Sequence, residues 1–154
     1  MDSFSNNQNY PFVGFSFLVK FSTPYGSTEK NFQEVSGLNV KLEQLEIKEG
    51  GENRFSYRFP SPPKFENIVL KRGMFKLKDS DLLKWIQKSI NNFSFKPTSD
   101  LTISLLGPES EILTSWNFVN AYPVGIKISD FKAQDSSIVI ESLEFSFDYF
   151  TRTI

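Results

Sequence analysis

The protein, a chain of 154 residues, contains neither cysteine nor histidine. Without cysteine it can form no disulfide bond, no thiolate metal site and no cysteine nucleophile. Without histidine it lacks the commonest general base, the commonest transition-metal ligand and the serine–histidine–aspartate arrangement. The composition therefore argues against most hydrolase classes and predicts a fold held together by packing alone, with no cofactor and no metal.

The chain also lacks a strong net charge and any long apolar run. Seventeen Lys and Arg face eighteen Asp and Glu, so no strong field attracts nucleic acid or an anionic membrane. No apolar run approaches the roughly 18 residues that suggest a membrane span, and the N-terminus has no basic stretch followed by an apolar one. We therefore expect no membrane anchor, no signal peptide, synthesis in the cytoplasm and no need for nucleic acid.

The length is that of one domain, and no repeat, linker or second compositional regime divides it. Residues 1–10 are polar and rich in Ser and Asn, which is typical of a flexible arm or of one ordered by a neighbour. We predict a flexible N-terminal arm at residues 1–10 and a single domain over residues 11–154.

Apolar residues recur at every second position through most of the chain, as in strands with one buried face. The pattern is clear over Phe15–Phe21, over Leu38–Ile47 and over Leu143–Tyr149. In the second of these, a slip near Gln44 predicts a bulge or sharp bend, and the apolar side chains before and after it are expected to share one face. The last segment is predicted as one long strand.

One segment has helical spacing. Between Asp79 and Phe93 the apolar residues lie three and four apart, and Asp79 or Ser80 is placed to cap the first turn. Trp85 is expected to anchor the core. Seven or eight strands with this helix predict a mainly β fold, an antiparallel barrel or sandwich with one flanking α-helix that covers an opening.

The segment Lys48–Pro63 is predicted to be a long excursion from the sheet. Gly50-Gly51 permits a tight reversal, although the spacing of a phosphate-binding loop is missing. Phe55, Tyr57 and Phe59 then alternate with polar residues, and the prolines of Pro60–Pro63 stiffen the return. Rigid aromatic anchors of this kind are typical of protein interfaces.

Two groups of charged residues could be either ordinary solvent-facing surface or functional sites. Glu43, Glu46 and Glu49 could bind a metal, but the interleaved lysines favour a charged strand face. A second group of basic residues surrounds Phe65 and Phe75 and could bind single-stranded nucleic acid, although the near-neutral net charge argues against it. That group consists of Lys64, Lys71, Arg72, Lys76 and Lys78.

Eight short motifs, in this order and at these separations, resemble those of the tail-tube family of contractile phage tails and contractile injection systems. They include a V-S-G-L step, an E-G-G-x-N turn and an N-I-x-L-K-R-G strand, and the resemblance extends over nearly the whole chain. The motifs are Val35–Leu38, Glu49–Asn53, Pro60–Pro63, Asn67–Gly73, Trp85, Thr102–Leu105, Trp116–Pro123 and Glu141–Phe145.

The resemblance implies a β-barrel subunit, similar in architecture to phage tail tube and type VI secretion tube proteins. Six copies would form a ring, and the rings would stack into a hollow inner tube that a contracting sheath drives through a target envelope. The implied partners are further copies of the chain, a sheath protein, baseplate or hub and tube-initiator proteins, and cargo in the lumen. The implied location is the bacterial cytoplasm during assembly and then the tail-like particle.

The predicted function is therefore structural rather than enzymatic, and the site is a surface between subunits. Two alternatives stay open: a tube initiator that forms a ring on the baseplate hub, and a free-standing β-barrel binding module. The candidate contact residues are those of the excursion, Lys48, Glu49, Gly50, Gly51, Asn53, Phe55, Tyr57, Phe59 and Pro60.

Overall fold

The structure, a computed structural model, describes residues 14, 16–22, 27–48, 50–51, 54–74, 76–94, 99–130 and 138–154. The predicted arm at residues 1–10 lies outside the described residues, as do Phe15 and most of the turn that follows the first strand.

The described residues form ten strands and one α-helix. A short 3-10 turn at Leu77–Asp79 leads into the helix. The elements are β1 (Ser16–Phe21), β2 (Ser27–Phe32), β3 (Glu34–Ser36), β4 (Val40–Ile47), β5 (Tyr57–Phe65), β6 (Ile68–Gly73), α1 (Asp81–Asn91), β7 (Ser99–Leu106), β8 (Ile112–Ile128), β9 (Ile140–Ser146) and β10 (Tyr149–Arg152).

Eight of the strands form one antiparallel sheet in the order β2-β1-β7-β8-β9-β6-β3, with β10 also paired to β8. The outermost strands β2 and β3 are consecutive in the chain, so the two ends of the sheet meet. The amide of Gln33, between them, donates to the carbonyl of Lys71 on β6 at 2.9 Å. The sheet therefore curves into a barrel, and the predicted mainly β fold with one flanking helix is confirmed.

The core lies inside this barrel, and α1 closes one side of it. Leu82, Trp85 and Ile86 are buried on the inner face of the helix. The Trp85 ring stacks against Phe21 at 6.0 Å and Phe145 at 5.9 Å between centroids. The Ser80 side chain accepts a hydrogen bond from the Leu83 amide and caps the helix. The predicted helix, its cap and its core anchor are confirmed.

The predicted helix and the predicted last strand both end earlier in the structure than the apolar patterns indicated. The helix stops at Asn91, and Phe93 is 83% exposed with a φ of 48°, so Phe93 does not extend the buried stripe. The last strand is broken after Ser146, because β9 pairs with the second half of β8 whereas β10 pairs with the first half. Tyr149, beyond the break, is exposed rather than buried.

Candidate assembly surface

β4 and β5 pair only with each other and form a two-stranded sheet separate from the barrel sheet. All eight residues of β4 are exposed, and so are most of those of β5. An isolated two-stranded hairpin is marginally stable in water, because it has little apolar area to bury. The hairpin therefore needs contacts beyond its own two strands.

The predicted irregularity near Gln44 is present, but it lies on the partner strand. Leu42 is opposite Pro63, and Gln44 is opposite Pro60, so two steps along β4 correspond to three along β5. The additional residue belongs to β5, and β4 keeps its own alternation. Val40 and Leu42 therefore lie on one face of the hairpin and Leu45 and Ile47 on the other. The prediction that they share one face is wrong.

At its base the hairpin contacts the barrel through Phe65, whereas Val40 and Leu42 on the same face are 55% and 54% exposed. Phe65 is opposite Val40 and shares its face. The Phe65 ring makes edge contacts with Phe147 at 5.8 Å and Phe150 at 5.3 Å between centroids. The opposite face of the base is polar, where Lys64 Nζ lies 2.7 Å from a Glu43 carboxylate oxygen. Beyond the bulge the apolar side chains lie on the opposite face of the hairpin from Phe65.

The apolar side of the tip is continuous. Leu45 is opposite Phe59, Ile47 is opposite Tyr57, and the Phe55 ring makes an edge contact with Tyr57 at 5.3 Å between centroids. These side chains are between 41% and 58% exposed. At typical side-chain areas they present about 400 Å² of apolar surface, which is in the range of functional patches on monomers. We call Leu45, Ile47, Phe55, Tyr57 and Phe59 the tip patch.

The polar side of the tip is internally paired. Glu46 is opposite Arg58, and the Ser56 hydroxyl donates to the Glu46 carboxylate. Glu43 and Glu46 lie on opposite faces of the hairpin, where they pair with Lys64 and Ser56. The two carboxylates therefore do not form one cluster of metal ligands. Among the residues that the structure describes, no group of three or more His, Cys, Asp or Glu could hold a metal ion.

The residues proposed from the sequence as contacts fall into three groups. Phe55, Tyr57 and Phe59 lie together in the tip patch. Lys48, Gly50 and Gly51 are exposed at the connection between the strands, whereas Glu49 and Asn53 lie outside the described residues. Pro60 is in β5, opposite Gln44. Pro60–Pro63 is therefore part of an edge strand and not the predicted return loop, which is possible because an edge strand leaves one row of amides unpaired.

Sequence reasoning missed Leu45 and Ile47 as members of the patch. Their alternation was visible, but the face they occupy depends on which strand carries the bulge. Only the pairing of β4 with β5 shows this.

A buried ionic cluster was also missed. Arg72 is 2% exposed, and its guanidinium donates to Glu29 at 2.6 Å, to Glu141 at 2.7 Å and to the Ser80 hydroxyl at 2.9 Å. It also lies 4.5 Å from the centre of the Phe32 ring. The Glu29 carboxylate accepts a further hydrogen bond from the Leu82 amide at 2.8 Å, at the first turn of α1. The cluster thus joins β2, β6, β9 and the start of the helix.

This cluster adds to the argument against a nucleic-acid surface on the basic residues. Arg72 is enclosed and paired, so it offers nothing to a phosphate. Lys64 pairs with Glu43 on the hairpin, and Lys71 lies 3.6 Å from Glu34. The proposed group is therefore divided between the hairpin, the core and the surface of the sheet.

No helix of the described residues is long and apolar enough to cross a membrane. A family model described as T4-like virus tail tube protein gp19 matches residues 13–151. Among curated proteins, none matches the chain.

Solved structures with the same fold are numerous. A chain in the cryo-EM structure of the anti-feeding prophage baseplate, 6-fold symmetrised, is 27% identical with a TM-score of 0.80, over 94% of this chain and 96% of that one. A chain in the extended-state sheath/tube terminator of the extracellular contractile injection system PVC is 27% identical with a TM-score of 0.75, over 96% and 99%. Hcp1 from Flavobacterium johnsoniae is 17% identical with a TM-score of 0.51, over 90% and 94%, which concerns the fold alone.

Proposed function

Because the chain belongs to the T4-like virus tail tube protein gp19 family, it is a structural protein of tail tubes and contractile injection systems, and we propose that it is the inner tube subunit. Six copies form a ring, and the rings stack into a hollow tube. The tube serves as a stiff channel with an open lumen, and this role requires no catalysis.

The observation that carries this proposal is the tip patch. Its aromatic side chains are about half-exposed and are held on a hairpin that is separate from the barrel sheet. A large apolar surface presented in this way favours a protein partner. In a ring, each subunit offers one surface and receives a different one, so the contact is head-to-tail and closes on itself. A protruding hairpin suits such a contact.

The proposed partners follow from the family and from the assemblies in which similar chains occur. These are a baseplate and a sheath/tube terminator complex of two injection particles. We infer that this chain contacts a sheath protein on the outside of the tube and a baseplate or hub protein at its end, with cargo in the lumen. On this proposal the subunit assembles in the bacterial cytoplasm and then resides in the particle.

The test is negative-stain electron microscopy of the purified protein, together with its mass distribution from light scattering. Six-fold rings or tubes are the expected result. A protein that stays monomeric at high concentration would contradict self-assembly into a tube and would favour an initiator that needs its hub as template, or the free-standing binding module.

A second candidate is a ring at one end of the tube rather than the tube itself. It is favoured by the likeness to chains in a baseplate structure and in a terminator structure. Copy number in purified particles separates the two proposals. A tube subunit is present in a large multiple of six copies, whereas an initiator on the hub fills only one or two rings.

A further inference from the structure

A second apolar surface lies on the barrel beside α1. It is a groove of about 340 Å³ between the helix, the preceding 3-10 turn and the end of β8. Leu83, Ile86 and Ile128 form its floor. Its rim is formed by half-exposed apolar side chains, which we call the groove rim: Met74, Leu77, Ile90 and Ile126.

The groove rim and the tip patch differ in shape. The tip patch projects on a two-stranded hairpin, whereas the groove is concave. The hairpin does not fill the groove of its own chain, because no residue of β4 or β5 lines the groove. One molecule therefore carries a projecting and a concave apolar surface, each without an occupant among the described residues.

We propose that the groove beside α1 receives the tip patch of a second copy of this chain. The proposal rests on the proposed tube function, which it deepens by assigning the receiving surface. In this arrangement the aromatic rings of Phe55, Tyr57 and Phe59 lie across the groove, and Leu77 and Ile126 are covered.

The size of the contact is sufficient for a specific interface. The tip patch presents about 400 Å² of apolar area, and the groove rim presents about 250 Å² at typical side-chain areas. Slightly more than half of an interface is apolar, so the whole contact would cover about 1,100 Å². This exceeds the roughly 1,000 Å² that a biological interface should bury.

The contact is also of the correct symmetry. Because the two surfaces are different patches of the same chain, joining them is a head-to-tail contact that is repeated from copy to copy. A contact of tip patch with tip patch would instead join two copies and stop. A ring or a stacked tube requires the first kind.

The absence of cysteine from the chain permits a direct test by crosslinking. Phe59→Cys and Leu77→Cys are made as separate single variants of the full chain, mixed, allowed to assemble and treated with a short bismaleimide. The expected result is a crosslinked dimer in the mixture and in neither variant alone. Gln44→Cys, on the opposite face of the hairpin from Phe59, serves as the matched control and should give no dimer with Leu77→Cys.

Light scattering on the same samples distinguishes the two proposals. Rings or tubes without a Phe59–Leu77 crosslink would overturn the groove contact and leave the tube function standing. A crosslink in the Phe59→Cys sample alone would show tip-to-tip contact and would also overturn it. A monomeric sample of the unmodified protein, measured beside the variants, would overturn both.

A pair of charged substitutions gives an independent readout. Leu45→Lys and Leu77→Glu each place a charge in the contact and should raise the concentration needed for assembly at least about tenfold. Both positions are half-exposed in the monomer, so folding should be unchanged by circular dichroism. Combining the two substitutions in one chain should restore assembly. Failure of the double variant, with both single variants folded, would count against direct contact.

Discussion

Arg72 and Glu29, 43 residues apart in the chain, form a buried ion pair in which guanidinium and carboxylate are 2.6 Å apart. Arg72 is on β6 and Glu29 on β2, so the pair spans the place where the two ends of the barrel sheet meet. Glu141 and the Ser80 cap of α1 complete the arrangement. The ion pair thus links closure of the sheet to placement of the helix.

Replacing Arg72 by Met should destabilise the protein by about 3–5 kcal/mol, because it leaves two buried carboxylates without their cation. The measurement is urea unfolding followed by circular dichroism. Lys71→Met is the matched control, since Lys71 is the preceding residue of the same strand and its pair with Glu34 is exposed. The Lys71→Met control should lower the free energy of unfolding by at most about 1 kcal/mol. Equal losses in the free energy of unfolding of the two variants would show that the buried ion pair stabilises the fold no more than the exposed one.

Gly37→Ala should also be strongly destabilising. Gly37 has a φ of 90°, and a Cβ built there would collide with the backbone carbonyl of Asn67. The conformation alone costs an L-residue about 1–2 kcal/mol, and the collision adds to it. Gly50→Ala is the control, because its surroundings are open and its φ is not positive. Chemical denaturation of both variants tests this, and a loss in the free energy of unfolding of under about 1 kcal/mol for Gly37→Ala would contradict this backbone conformation.

Trp85→Ala should lower the free energy of unfolding by about 3–5 kcal/mol, since it removes a ring that stacks on both Phe21 and Phe145. Trp85→Phe keeps an aromatic ring in the same place and should cost clearly less. Trp116, the other tryptophan of the chain, reports unfolding by fluorescence in both variants. Similar losses for alanine and phenylalanine would mean that stacking in the core is not what stabilises this site.

Local patterns explain why part of this fold was predictable from the sequence. The helix, its Ser80 cap and the inward side of Trp85 depend on residues a few positions apart, and these predictions are confirmed. The mainly β fold follows in the same way from alternation. The end of the helix before Phe93 and the break before Tyr149 were not foreseen, because they depend on how each segment packs and pairs.

Long-range pairing explains what the sequence did not reveal. Arg72 looked like one of several basic surface residues, and nothing near it in sequence indicates Glu29 or Glu141 as partners. For the hairpin, the slip near Gln44 was visible, yet its consequence depended on β5 carrying the extra residue. That assignment places Leu45 and Ile47 on the opposite face from Val40 and Leu42. It defines the tip patch, whose aromatic members the sequence had already suggested.

The tip patch supplies the last prediction, which concerns assembly and not stability. Replacing Phe55, Tyr57 and Phe59 together by Ser should leave a folded monomer, because all three rings are about half-exposed and lie outside the core. The free energy of unfolding should change by less than about 1 kcal/mol. Assembly should fail, because interface aromatics typically contribute about 2 kcal/mol or more each, which is roughly 30-fold in affinity for a single ring.

The matched control changes the other face of the same hairpin tip. Gln44→Ser and Arg58→Ser, combined in one chain, remove polar side chains that point away from the tip patch. If the hairpin contributes only through its apolar face, this variant assembles like the unmodified protein.

Light scattering and negative-stain microscopy of the two variants therefore separate three cases. Assembly lost only with the aromatics supports the tip patch, and assembly lost in both indicates that the whole hairpin is needed. Normal tubes from the aromatic variant would mean that the hairpin makes no essential contact between subunits.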